Sequence, residues 1–253
     1  MSAIFALANQ KGGVAKTTTT GILAAGLHKQ GFSVLTIDCD PQGNLSMSMA
    51  ADNQSGATMY EVMKGTVTAR EAIQHTAACD IIPANTILAG IEQELHSVGK
   101  EMTLREKLRD EESGVADDYD YILIDCPPSL GLITINALCA RDTFLVRLQC
   151  EYYALEGLEQ LMATVRQIKR LYNPHIEIEG VLLTMYDGRL NLTNQVVDEV
   201  KRFFPQKVYS STIPRNVRLS EAPSFGEPIM YYDRSSKGSL AYAALADEFL
   251  KKQ

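Results

Sequence analysis

The chain of 253 residues is long enough to bury a full core, and 45% apolar with 22% charged residues is the composition of an ordinary globular protein. No stretch reaches the roughly 18 consecutive apolar residues of a membrane span, and Met1-Ser2-Ala3 carries no basic flank for a signal peptide; a cytoplasmic protein with one domain, residues 1–253, is expected. A net charge of −7 argues against a general attraction to nucleic acid, although residues 185–239 hold eight Lys/Arg against six Asp/Glu and permit a local basic patch.

The first predicted element is a strand, Ile4 to Ala8, and the second a helix, Lys16 to Gln30, with Ile22, Leu23 and Leu27 on one side and Gly31 as a stop. Between them runs Asn9-Gln10-Lys11-Gly12-Gly13-Val14-Ala15, so a strand hands over to a helix through two glycines. Backbone N–H groups in such a turn, with the unpaired donors of the helix start, make an anion site. Lys16 there can reach terminal phosphates, and the hydroxyl of Thr17 can hold magnesium. Against the pattern G-x-x-x-x-G-K-[ST], Gln10 and Ala15 replace the two glycines, and Lys11 adds a second lysine. The alternative is a glycine-rich turn with surface lysines.

A second strand, Phe32 to Ile37, ends in Asp38-Cys39-Asp40-Pro41-Gln42-Gly43-Asn44. In an open parallel sheet, polar groups just past a strand's carboxyl end face the ligand crevice. The same residues also suit a turn for local backbone reasons, and both readings stand. Residues 45–109 are expected to cover the sheet: helices at Met59–Met63, Ala69–His75, Ile87–Val98 and Met102–Arg109, and a short strand at Asp80–Pro83. Met47, Met49, Met59 and Met63 are assigned to packing, and His75 and His96 lack metal-ligand spacing. Tyr121–Ile124 is a strand terminated by Asp125 and followed by Cys126-Pro127-Pro128-Ser129. A fully apolar strand ending in a carboxylate suits a hydrated magnesium ion, which takes few protein ligands; a carboxylate capping the next helix is the alternative.

A helix from Leu130 to Ala140, a strand from Thr143 to Gln149, a long helix from Ala154 to Leu171 and a strand from Ile178 to Met185 follow. An amphipathic helix, Asn191 to Phe204, a last strand, Val208 to Ile213, and a closing helix, Leu240 to Lys252, complete the chain. Arg147 falls within a central strand, where it needs a carboxylate partner or an escape to solvent. The five cysteines, Cys39, Cys79, Cys126, Cys139 and Cys150, contain no C-x-x-C pair and are expected to be reduced and mostly buried. Strands alternating with helices specify a doubly wound, mostly parallel α/β sheet with helices on both faces.

Four separated motifs, the Lys11-Gly12-Gly13-Val14-Ala15-Lys16-Thr17-Thr18 loop, Asp38 to Asn44, Asp125 to Ser129 and Pro214-Arg215-Asn216 with Leu219, Glu221 and Pro223, together resemble the ParA/Soj/MinD family of P-loop ATPases with a deviant Walker A loop. The stretch Gln149-Cys150-Glu151-Tyr152-Tyr153-Ala154-Leu155-Glu156-Gly157-Leu158 resembles the chromosomal ParA/Soj branch. The resemblance covers nearly the whole chain and implies a partition ATPase, without the extra N-terminal helix-turn-helix domain of some plasmid relatives. It implies that ATP and Mg2+ are bound by Gly12, Gly13, Val14, Ala15, Lys16, Thr17 and Thr18, with Pro214 and Asn216 at the adenine. Thr17, Asp38 and Asp125 then surround magnesium, Asp40 positions the attacking water, and Lys11 crosses to the phosphates of a second subunit in an ATP-dependent homodimer. Arg189, Arg215 and Arg218 become candidates for non-specific DNA contacts, with Arg234 and Lys237 as further ones. A ParB-type centromere-binding protein is implied as partner and the nucleoid as location, with slow turnover and no stable membrane association.

Three other readings accompany it. A MinD-like membrane cycle would use an amphipathic C-terminal helix, but Leu240, Ala244, Leu245, Phe249 and Leu250 suit packing on the sheet. A metal-cluster ATPase lacks its C-x-x-C pair. A cargo-positioning ATPase of the same family would share every motif. The chain also departs from the family at two positions, with Ala15 in place of glycine and Arg147 in place of a proline. Alanine is penalised where φ is positive but fits where it is negative. Titration of ATP is therefore expected to show binding to the unaltered chain as well as to Ala15→Gly; binding that appears only with glycine would contradict this.

Overall fold

The computed structural model describes residues 3–8, 16–140, 143–151 and 154–253. Among them, eight strands form one sheet: β1 (Ala3–Ala8), β2 (Val34–Asp38), β3 (Gln74–His75), β4 (Asp80–Ile82), β5 (Tyr121–Asp125), β6 (Thr143–Gln149), β7 (Glu177–Tyr186) and β8 (Ile213–Pro214). Their order is β3-β4-β2-β5-β1-β6-β7-β8, and every pairing is parallel except β3 with β4. Strands covered on both faces are apolar throughout rather than alternating; accordingly β2 and β5 are buried at every residue.

The helices are α1 (Lys16–Lys29), α2 (Asn44–Ser48), α3 (Met59–Lys64), α4 (Ile91–Glu94), α5 (Thr103–Arg109), α6 (Leu132–Cys139), α7 (Ala154–Leu171), α8 (Asn191–Phe203), α9 (Val217–Glu221), α10 (Ile229–Tyr232) and α11 (Lys237–Lys252). Apolar residues of α3 to α8 cover the face that carries Ile4, Ala6, Ile124 and Val146. Those of α1, α2 and α9 to α11 cover the opposite face, with Phe5, Leu7, Leu123 and Leu145. In α7 the buried residues Leu158, Leu161, Val165 and Ile168 recur every three or four positions, and Lys169 and Arg170 sit at the negative dipole end. A capping box starts α3, where Glu61 accepts from the Thr58 amide, and Gly65 ends it at φ 81°. The fold is therefore a doubly wound, mostly parallel α/β sheet.

Three expected elements differ. Residues 69–75 do not form a helix: after one turn, Gln74 and His75 pair antiparallel with Ile81 and Asp80, while the Gln74 amide grips the backbone of Asp52 at 2.8 and 2.6 Å. The expected helix over 87–98 is a 3-10 segment, Thr86–Gly90, followed by the single turn of α4, and Leu95 leaves it in an extended conformation. The last strand is reduced to a bridge between Val208 and Val181 and the two residues of β8. Its missing ladder has a tertiary cause, because the amides of Ser210 and Ser211 donate to the Glu248 carboxylate of α11 at 2.8 and 2.7 Å.

All five cysteines are buried, in line with the expectation of mostly buried thiols. Met49, Met59 and Met63 are core residues, whereas Met47 is exposed. The apolar side of α11 packs into the sheet: Phe249 is fully buried and meets Phe5 edge-on at 4.9 Å between ring centroids, while Leu240 stays exposed. Phe249→Ala is expected to cost about 3–5 kcal/mol in urea unfolding. Leu240→Ala should change stability by less than about 0.5 kcal/mol.

Candidate nucleotide and magnesium site

Parallel register brings two carboxylates together, since Asp38 at the end of β2 lies opposite Asp125 at the end of β5. Both are buried. The Ser46 amide and hydroxyl, from α2, donate to Asp38 Oδ2 at 2.9 and 2.8 Å, and the Asp40 amide donates to Oδ1 at 3.1 Å. Burial, and then the negative charge of Asp125, push the Asp38 carboxyl up to about 8, against the lowering effect of those hydrogen bonds. Asp40 sits in the turn that follows, accepting from the Gln42 amide at 3.0 Å. That turn needs Gly43, whose φ is +63° and whose added Cβ would meet the Ala84 carbonyl oxygen at 2.7 Å.

Asp125 faces the first turns of α1. Thr20 Oγ1 donates to its Oδ1 at 2.9 Å, while Oδ2 has no hydrogen-bond partner among the described residues. Burial raises its carboxyl to about 6; the Thr20 hydrogen bond, the Arg147 charge and the Thr17 hydroxyl act in the other direction. Thr17 and Thr20 are three residues apart and so share one face of α1. An orphaned carboxylate oxygen beside a threonine hydroxyl is a hard-oxygen set that fits Mg2+, which commonly takes one or two carboxylates and completes its shell with water and phosphate. Among the described residues no three His, Cys, Asp or Glu side chains converge as an all-protein cage. Burial, followed by neighbouring Cys126, holds the Cys39 thiol well above its usual range, so Cys39 stays protonated beside Asp38.

Lys11, Gly12, Gly13, Val14 and Ala15, together with the Lys16 side chain, lie outside the described residues, as do Tyr152 and Tyr153. Thr17 and Thr18 open a shallow cleft whose other wall is Leu219, Ala222 and Pro223, just beyond Pro214 and Asn216. Asn216 caps α9, its Oδ1 accepting from the Arg218 amide at 2.9 Å. Pro214 is registered with Tyr186, so Arg189 and Arg215 both follow carboxyl ends of adjacent strands, at one edge of the sheet. Arg189 forms a fork on Asp187 at 2.9 and 2.7 Å, and Arg218 pairs with Glu221 at 2.8 Å. Arg215 is exposed, with no ion pair among the described residues. These arginines are accessible, but two of the three charges are partly matched by acids.

Comparison with known proteins decides the family. The AAA_31 family model, an AAA domain, matches residues 2–178. The chain is 48% identical to the sporulation initiation inhibitor protein Soj of Bacillus subtilis, over 98% of each chain. It is 47% identical to the chromosome partitioning protein ParA of Myxococcus xanthus, over 98% of this chain and 88% of that one. It belongs to the ParA/Soj family. Among solved structures, the cobyrinic acid a,c-diamide synthase of Mycobacterium smegmatis with bound ATP analog and magnesium is 36% identical; that likeness has a TM-score of 0.86 and spans 99% of this ParA/Soj chain and 95% of that protein.

Sequence reasoning on this ParA/Soj chain missed Ser46, Thr20 and the Thr19–Tyr242 pair, whose oxygens lie 2.8 Å apart. Only the i,i+3 spacing of Thr17 and Thr20 could have signalled one of them, because Ser46 and Tyr242 reach the site through tertiary packing. Arg147 does not escape to solvent, being 2% exposed, and none of its three guanidinium nitrogens has a hydrogen-bond partner among the described residues.

Because Asp38 and Asp125 are raised from 3.8 to about 8 and about 6, the folded chain keeps protons there that the unfolded chain has lost. Their contribution to stability is therefore complete below about pH 4 and is lost as pH rises towards 8. The melting temperature in EDTA is expected to fall between pH 5 and pH 8, and Asp38→Asn should remove most of that fall. A wild-type profile that rises with pH would contradict it.

Proposed function

We propose that the chain is a Mg2+-dependent ATPase, built as a single P-loop domain, that segregates DNA. The observation that carries this reading is Asp125, buried at the end of β5 near the Thr17 hydroxyl, with Thr20 on one oxygen and no hydrogen-bond partner for the other among the described residues, in a chain 47% to 48% identical to ParA and Soj proteins. Lys16 and the amides of Gly12 to Thr18 bind the phosphates; Pro214 and Asn216 border the adenine. Bound magnesium supplies neutralisation of the phosphate charge, held by Thr17 and Asp125 with Asp38 behind them. Asp40 orients the attacking water. These are positioning and electrostatic tasks, which is what phosphoryl transfer asks of a protein.

Lys11 reaches the phosphates of a second copy, so ATP closes a homodimer and joins two sets of Arg189, Arg215 and Arg218. Joining two weak patches on one body raises affinity for DNA by effective concentration. Stimulation of hydrolysis by a ParB-type partner then releases the DNA, and the protein cycles on and off the nucleoid. The partition relatives are more similar in sequence than the cobyrinic acid a,c-diamide synthase, and this favours partition over that activity. A membrane cycle is not favoured, because Tyr242, Leu245 and Phe249 of α11 are buried against the sheet.

The deciding experiment is retardation of a non-specific DNA duplex at low salt with ATP, ADP or no nucleotide. Retardation is expected with ATP alone, absent in Lys16→Ala and weakening steeply with salt. Replacing Arg189, Arg215 and Arg218 by alanine should weaken DNA binding and flatten the salt dependence by about 0.9 per lost phosphate contact, with ATP binding unchanged. ATP binding without DNA binding would overturn the partition reading.

A further inference from the structure

β1 runs between an acid and a base. Leu7 is registered with Asp125 on one side and with Leu145 on the other, and Arg147 lies two residues beyond Leu145, paired with Leu182 of β7. Two residues along a strand return to the same face, so Leu145, Arg147 and Leu182 share the face covered by α1 and α11. Leu145 and Leu182 do pack in that core, with Tyr242. Asp125 addresses the same face through Thr20 of α1. Thus a fully buried carboxylate and a fully buried guanidinium flank the strand that leads into the phosphate loop.

The two do not touch. No hydrogen bond or close ion pair joins them among the described residues, and the guanidinium's three nitrogens and Asp125 Oδ2 are all left without hydrogen-bond partners. Yet each feels the other's charge, Asp125 favouring protonated Arg147 and Arg147 favouring ionised Asp125. Burial brings the guanidinium down to about 10, still high enough for it to be a cation at neutral pH. An uncompensated buried charge is strongly unfavourable, and loss of its partner is worse. Tyr242, whose hydroxyl is engaged with Thr19, and Asp125 are the two groups that act on it.

We propose that Arg147 is the internal counter-charge of Asp125, a positioning residue that balances this carboxylate while no divalent cation is bound and opposes that cation when it binds. This rests on the reading of Asp125 as a magnesium ligand and goes beyond it by giving a role to a residue outside the site's motifs. Through-space repulsion between Arg147 and Mg2+ lowers the affinity for the bare ion. The phosphates of a nucleotide bring the negative charge that offsets the repulsion, so metal and nucleotide enter together.

The test is a Mg2+ titration of the full chain with a fluorescently labelled ATP, read by nucleotide fluorescence, in wild type, Arg147→Lys and Arg147→Met. Arg147→Met should lower the half-saturating Mg2+ concentration on the order of tenfold, whereas Arg147→Lys, which keeps the charge, should stay within about twofold of wild type. Equal shifts in the two variants, no shift in Arg147→Met, or weaker Mg2+ binding there would overturn the proposal. Arg147→Gln supplies a second neutral side chain if Arg147→Met does not fold.

Thermal melting in EDTA tests the pairing without metal or nucleotide. Asp125→Asn should lower the melting temperature more in the chain with Arg147 than in the chain with Arg147→Met, and equal losses would overturn the pairing. If the coupling is present in EDTA but no chain shows Mg2+-dependent nucleotide binding, the ATPase reading fails and the pairing is supported. If wild type responds to Mg2+ but shows no coupling, the ATPase reading is supported and the pairing fails.

Discussion

Everything at the candidate site depends on two carboxylates held side by side, out of water, at the ends of two parallel strands. The register that puts Asp38 opposite Asp125 follows from the pairing of β2 with β5, and that pairing follows from apolar runs long enough to be buried on both faces. Burial alone would leave both groups protonated. Three donors on Asp38, and on Asp125 the Thr20 hydroxyl and a guanidinium on the far side of β1, act against that rise without cancelling it. The core supplies rigidity, and the polar groups inserted into it set the electrical state of the acids.

The helices around this pair are placed by the same economy of contacts. Ser46 serves two segments at once, donating to Asp38 while its oxygen accepts from the Ala84 amide at 3.0 Å. It thereby ties α2 to the segment leaving β4. On the other flank, α1 is held between Asp125, through Thr20, and α11, through the Thr19–Tyr242 pair. Neighbouring threonines of one helix turn thus fix it to the sheet below and to the helix beside it. The start of α1, where the phosphate loop ends, is clamped from two directions.

How much of this is legible in the chain depends on the range of the interaction. β1, β2, β5, β6 and α7 are legible because their signals are local, as in the unbroken apolar run of β5 or the spacing of Leu158, Leu161, Val165 and Ile168. Residues 69–75 mislead because they carry a helical pattern that loses to Gln74 bonding the backbone at Asp52, 22 residues away. The shortened last strand is decided by Glu248, 38 residues beyond the amide of Ser210 that it captures. At the site, Asp38 and Asp125 are marked by their position at strand ends, and Thr17 by the lysine loop. Ser46 and Tyr242 carry no such mark, and that the Arg147 guanidinium has no hydrogen-bond partner among the described residues shows only once the fold surrounds it.

The bond between Thr19 and Tyr242 joins residues 223 apart, and this sets the order in which a growing polypeptide can become functional. During synthesis β1 waits for β5 and β6 to flank it, and α1 waits for α11 to cover it. Domains generally fold as units during synthesis. A ribosome stalled before α11 therefore carries an α1 that lacks the Tyr242 side of its clamp.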